Sequence, residues 1–106
     1  MNALRITASL IECQPLRYTP AGIPVLDLVL DHQSEVTEAG GIRKVSFTVP
    51  AIALGDLALM LADLPLGTSL RIEGFLAPVR KGSRRLRIHL QHASPMPVSS
   101  GAANCE

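Results

Sequence analysis

Polar and apolar residues alternate with period two along most of this chain. Leu4, Ile6, Ala8 and Leu10 share one face of a first predicted strand, with Arg5, Thr7 and Ser9 on the other. Val25–His32 repeats the pattern, with Leu26, Leu28 and Leu30 on one side and Asp27 and Asp31 on the other. In Arg43–Val49, Val45, Phe47 and Val49 are expected inward and Lys44, Ser46 and Thr48 outward. Thr68–Leu76 forms a fourth strand with Leu70, Ile72, Gly74 and Leu76 in register. A fifth starts at Arg85 and ends around His92, its Leu86, Ile88 and Leu90 facing a core and its Arg85, Arg87 and His89 forming a polar row.

The segments between these runs break strands in different ways. Gln14–Pro24 holds three prolines and a glycine, which exclude a central strand and predict an extended loop or wide hairpin. Glu35–Gly41 is polar and ends Ala39-Gly40-Gly41, a flexible reversal. Pro50 is expected to end the third strand, because proline has no amide hydrogen for a ladder. Ala51–Leu64 is rich in Ala, Leu and Met, and Leu54, Leu57, Ala58, Leu61 and Leu64 fall on one helical stripe. A short helix is predicted there, starting near Asp56 and ending before Pro65.

Three strands, a short helix and two strands describe an all-β protein with one short helix. The order fits a five-stranded OB-fold barrel, a Greek-key plan that takes oligonucleotides on its second and third strands and on the loops after the first and fourth. Other small five-stranded barrels share this order. Gly74 fits a strand bending round a barrel. The expected domain is 1–93, followed by a disordered tail over 94–106, where Ser, Pro, Gly and Ala dominate.

Composition narrows the function less than the pattern does. At 106 residues, 47% hydrophobic and 18% charged, the chain is an ordinary single-domain length and composition. A net charge of +1 gives no global field for a polyanion, so any such role rests on clustering. Clustering is present: Arg80, Lys81, Arg84, Arg85 and Arg87 are five of the ten cations and no acid lies among them. A cationic loop feeding a cationic strand face suits a polyanion, while the plainer reading is a solvated hairpin kept basic against edge aggregation. Placement after the fourth strand of an OB barrel favours the first. Cys13 and Cys105 make no disulfide framework, and Cys13 is expected to be a buried small residue. With neither a signal-peptide pattern nor an apolar run of spanning length, the expectation is a soluble cytoplasmic protein without membrane contact.

No catalytic arrangement can be assembled. His89 and His92, three apart on one strand, are expected on opposite faces, which argues against a shared metal. There is no Gly-rich phosphate loop and no Ser/His/Asp set, so the chain reads as a non-enzyme without cofactor or metal.

Several short runs carry a family resemblance. Pro15-Leu16-Arg17, Pro20-Ala21-Gly22-Ile23-Pro24 and Val29-Leu30-Asp31-His32-Gln33-Ser34 resemble primosomal replication protein N, the PriB family. Glu38-Ala39-Gly40, Val49-Pro50 and the run Gly67–Leu76 continue the likeness, which spans roughly residues 3 to 92. It implies an OB-fold homodimer that binds single-stranded DNA and joins the primosomal helicase and other primosome proteins. The sequence departs from the family pattern at Ser46, where a tryptophan would stack on a base, at Gly41, where an aromatic would stand, and at Gln33, where an arginine would.

Single-strand binding combines cations for phosphates with aromatic platforms for bases. The cations are Arg17, Arg43, Lys44, Arg80, Lys81, Arg84, Arg85 and Arg87. The chain has no Trp, one Tyr and two Phe. Phe47 is expected in the core, Phe75 either exposed or at a subunit contact, and Tyr18 is the one good stacking candidate. Ser46 completes the candidate site. Binding is therefore expected to lean on phosphate contacts and to be steeply salt-dependent. The alternative is a protein–protein adaptor of the primosome with little DNA binding of its own.

Overall fold

The computed structural model describes residues 1–96; residues 97–106, including Cys105 and most of the expected tail, lie outside the described residues. The elements run β1 (Leu4–Cys13), β2 (Arg17–Tyr18), β3 (Pro24–Glu38), β4 (Gly41–Leu54), α1 (Asp56–Ala62), β5 (Ser69–Pro78) and β6 (Leu86–Pro95). The sheet order is β1-β5-β6-β4-β3-β2, and a further β1–β3 pairing closes five of these strands into a barrel. β4 and β6 pair in parallel, through Ala51↔Ile88 and Ile52↔His89. This is the expected OB-fold barrel. The addition is β2, where Arg17↔Val25 and Tyr18↔Pro24 zip two residues of the proline-rich loop onto the end of β3.

β1 closes the barrel by serving two neighbours in turn. Leu4 to Ser9 pair with β5, and Ser9 to Cys13 pair with β3, with a register irregularity between Leu10 and Glu12. The inward residues of the period-two runs meet inside: Leu10, Leu26, Leu28, Leu30, Leu70, Ile72, Ile88 and Leu90 are buried beside Ala8, Ala51 and Ala53. A seven-residue helix is too short to be stable alone. α1 is held by burying Ala58 and Leu61, with Leu57 and Leu64 packed at the margin of the same core.

The third predicted strand does not stop at Pro50. β4 continues to Leu54, and Pro50 lies opposite Val29 in an unbroken register. The ladder explains this. Glu38 and Gly41 close a two-residue turn, and antiparallel pairs alternate between hydrogen-bonded and non-bonded. Counting from that turn, Val29↔Pro50 is a non-bonded pair, so the nitrogen of Pro50 points away from β3. Pairing with β6 begins only at Ala51, so no ladder bond is missing. Leu54, expected on the helical stripe, ends β4 and is exposed.

β3 and β4 also run past the barrel as a two-stranded arm with Ala39 and Gly40 at its tip, both at positive φ (52° and 80°). Alternation persists there without a core behind it. Phe47 is accordingly not a core residue: it is 40% exposed, with its ring centroid 5.0 Å from that of His32. Leu76 and Leu86, also expected inward, project from the far ends of β5 and β6 and are exposed for the same reason.

β6 starts at Leu86, one residue after the expected start, and runs to Pro95, past the residue-93 boundary. Arg71↔Ser94, Leu70↔Pro95 and a 2.9 Å bond from the Met96 N–H to the Ser69 carbonyl fix that end to β5. A bulge interrupts the β5–β6 ladder: Glu73 pairs with His92 and Gly74 with Leu90, which leaves Gln91 extra. The extra residue resets the alternation. His92 lies across from Glu73 and His89 across from Phe75, so the two histidines share the outer face rather than taking opposite faces. Among the described residues no group of three or more His, Cys, Asp or Glu could hold a metal ion. His32 is the one buried polar residue among those described. Its Nδ1–H donates to the Thr7 carbonyl at 2.6 Å, and its Nε2 accepts from the Ser34 hydroxyl at 2.8 Å.

Candidate nucleic-acid interface

The outer surface of β3 and β4, continued by β6 and β5, forms an open face. Register gives its rows: Asp27, Ile52, His89 and Phe75 lie side by side across four strands. The next row holds Val29 and Pro50 with Arg87 and Ala77. Further along the arm stand Asp31 opposite Thr48, Gln33 opposite Ser46, and Glu35 opposite Lys44. The loop carrying Arg17 and the loop carrying Arg80 to Arg85 flank this face.

Its centre is not basic. Asp27, Asp31 and Glu35 line the β3 side, and Asp27 engages both nearby cations. Arg17 Nε donates to Asp27 Oδ2 at 3.0 Å, and Arg87 Nη1 lies 3.7 Å from Asp27 Oδ1. Arg87 is only 21% exposed, and its Nε is buried without a hydrogen-bond partner. Beyond Asp27 a small recess of about 180 Å³ is bordered by Glu12, Gln14, Val29, Pro50, Val79 and Arg87.

The β5–β6 loop is built differently. The Val79 N–H donates to the Arg85 carbonyl at 2.8 Å, closing its base. Ser83 N–H donates to the Arg80 carbonyl at 2.9 Å, and the Arg85 N–H donates to Ser83 Oγ at 3.0 Å. Gly82, at φ 79°, takes a backbone conformation disfavoured for side-chain-bearing residues. These bonds hold a compact turn from which Arg80, Lys81, Arg84 and Arg85 all project into solvent. None of the four belongs to an ion pair among the described residues, whose pairs are Arg5–Glu73, Arg17–Asp27, Arg43–Glu38 and Arg87–Asp27.

The sequence candidates thus separate into groups. Arg80, Lys81, Arg84 and Arg85 lie together on one loop. Arg87 and Arg17 come together through Asp27, and Tyr18, 59% exposed, follows Arg17 on β2. Lys44 and Ser46 share the outer side of the arm. Arg43, adjacent to Lys44, projects to the opposite side and pairs with Glu38 at 3.4 Å, so it is not brought to this face.

One aromatic surface has no counterpart in the sequence pattern. Phe75 and His89 stack with centroids 4.9 Å apart and planes 17° from parallel, on the same face as Arg87. Burial, and secondarily the Arg87 charge, push the His89 pKa below its ordinary value, which favours the neutral imidazole. Phe75 lies across from His89 because the β5–β6 hairpin register, unbroken from Pro78↔Leu86 to Gly74↔Leu90, brings these distant positions together. The bulge at Gln91 lies beyond it and shifts only the pairs from Glu73 onward. Cys13 is half-buried, and burial pushes its thiol pKa up, so it is not an activated nucleophile.

A closed five-stranded barrel with a helix between its β4 and β5 strands and loops flanking an open face defines an OB-fold protein. The profile described as "Another single-strand binding protein family" matches residues 2–92. The replication restart protein PriB of Bordetella pertussis is 54% identical over 101 residues, covering 95% of this chain and 94% of that protein. The solved structure of PriB from Ralstonia solanacearum superposes with a TM-score of 0.83 at 34% identity, covering 92% of this chain and 99% of the other. The single-stranded DNA binding protein of Thermus aquaticus, at 26% identity, gives a TM-score of 0.73 over 93% of this chain and 52% of its own. The chain belongs to the PriB family of replication restart proteins, within the single-strand-binding fold.

Proposed function

We propose that this protein is a cytoplasmic, single-stranded-DNA-binding accessory of the replication-restart primosome, gripping the strand mainly by its phosphates. The observation that carries this reading is the cluster Arg80, Lys81, Arg84 and Arg85. Four exposed cations without acidic partners among the described residues stand on a loop that flanks the open face of a barrel whose relatives are named for single-strand binding and replication restart. The face itself supplies Tyr18 and the Phe75–His89 pair as limited π surface, with Lys44, Ser46, Arg17 and Arg87 at its borders. Three carboxylates along β3 repel a phosphate chain, so the strand's path follows the loop rather than the centre of the face. In this role the protein joins the primosomal helicase and helps reload the replicative helicase.

The apolar side of the β3–β4 arm supports a homodimer. Val36 and Phe47 are 46% and 40% exposed on the same side as Val45, more apolar area than a polar arm needs. Light scattering on the purified protein reads the mass directly. Fluorescence anisotropy with a labelled oligothymidylate at two salt concentrations tests the DNA reading: binding at low salt that collapses at higher salt supports it. Undetectable binding at low salt overturns it in favour of the adaptor.

A further inference from the structure

The carboxylate at the centre of the open face is out of place on a surface that takes phosphates, and it touches two cations rather than one. Arg17 comes from the loop after β1 and Arg87 from the strand after the basic loop, so Asp27 ties together the two segments that flank the face. It is about one-third exposed, and Arg17 is more than half exposed, which leaves the pair accessible to a competing anion. A solvent-accessible pair of this kind is weak enough to exchange one oxyanion for another. A phosphate offers a guanidinium the same two-oxygen geometry that a carboxylate does. Arg87 Nε, buried and without a partner, is a donor that the carboxylate leaves unused.

We propose that Asp27 is an internal competitor for nucleic-acid phosphates. Its carboxylate occupies Arg17 and Arg87 in the free protein, and each guanidinium contacts a strand only by leaving it. Asp27 is a positioning residue of the site that lowers affinity and limits how many phosphates are neutralised. This rests on the DNA-binding reading above. The loop cations then give a constant grip, while Arg17 and Arg87 give one that is engaged only where a phosphate displaces the carboxylate.

The test is an oligothymidylate titration of wild type, Asp27→Asn, Asp27→Glu and Asp56→Asn across a salt series. Asp56→Asn makes the same charge change at a carboxylate on α1 that pairs with neither arginine. Asp27→Asn is expected to bind at least about threefold tighter at low salt, with a log–log salt slope steeper by about 0.7 for each guanidinium released. Asp27→Glu retains the carboxylate and stays near wild type, and Asp56→Asn leaves the slope unchanged. An Asp27→Asn curve identical to that of Asp56→Asn, or weaker than wild type, overturns the proposal. A second readout needs no variant. In wild type, the Arg17 and Arg87 Nε–H resonances shift when the oligonucleotide replaces the carboxylate, and unmoved resonances at saturation contradict the proposal. Failure of wild type to bind at all sinks the DNA reading instead, so the two failures are distinct.

Discussion

Gly74 on β5 lies so close to His89 on β6 that a Cβ at position 74 would run into the His89 backbone carbonyl. Backbone cannot yield as a side-chain tip can, so the glycine is required by contact rather than by dihedral angle. Gly74→Ala is expected to destabilise the fold by at least about 2 kcal/mol. It should also disturb the Phe75–His89 stack, because the clash falls on the backbone of His89 itself. Chemical denaturation measures the first effect, and the His89 imidazole resonances report the second.

The tip of the β3–β4 arm invites the opposite change. Ala39 sits at φ 52° in a two-residue turn with Gly40, a conformation that suits Asn and costs an ordinary L residue about 1 kcal/mol. Ala39→Asn is expected to stabilise the arm, raising the melting temperature slightly without altering the mass in solution. A lowered melting temperature would contradict the turn geometry.

Tyr18 is an exposed aromatic beside Arg17, and stacking on one base is worth about 1–3 kcal/mol. Tyr18→Leu should therefore weaken oligonucleotide binding roughly fivefold or more while leaving the salt slope intact, because no charge is removed. An altered slope with unchanged affinity would point to a role other than stacking.

The His89 pKa is lowered in the folded protein, first by burial and then by Arg87. Its neutral form is favoured on folding, so its contribution is complete above the unfolded value near 6.5 and is lost as pH falls below it. Melting curves between neutral and mildly acidic pH should show a decline in wild type that is smaller in His89→Gln. Equal declines would show that other groups dominate.

Much of the barrel is legible in the sequence because alternation reports directly on a dry interior. Leu26, Leu28 and Leu30 are expected inward and are buried, and the helix starts at Asp56 as expected, although Leu54 of its stripe belongs to β4. The departures have one main cause: period two names a face without saying whether a core lies behind it. Phe47 and Leu86 alternate correctly yet project past the barrel, where there is nothing to cover them. Pro50 misleads because its effect depends on which way its nitrogen points, which only the hairpin register determines. The basic loop is visible as composition. Its freedom from acidic partners, and the capture of Arg17 and Arg87 by Asp27, depend on contacts between distant segments and cannot be read from spacing.

If Arg80, Lys81, Arg84 and Arg85 supply most of the grip on a single strand, the salt slope of oligothymidylate binding must fall when they are neutralised. The direct measurement compares that slope for wild type and for a variant with all four changed to Gln. Each phosphate no longer neutralised should lower the slope by about 0.7, so a drop of up to about 3 is predicted, with affinity falling by orders of magnitude and the melting temperature unchanged. A variant that binds with wild-type affinity and slope would contradict this and place the DNA contacts elsewhere on the barrel.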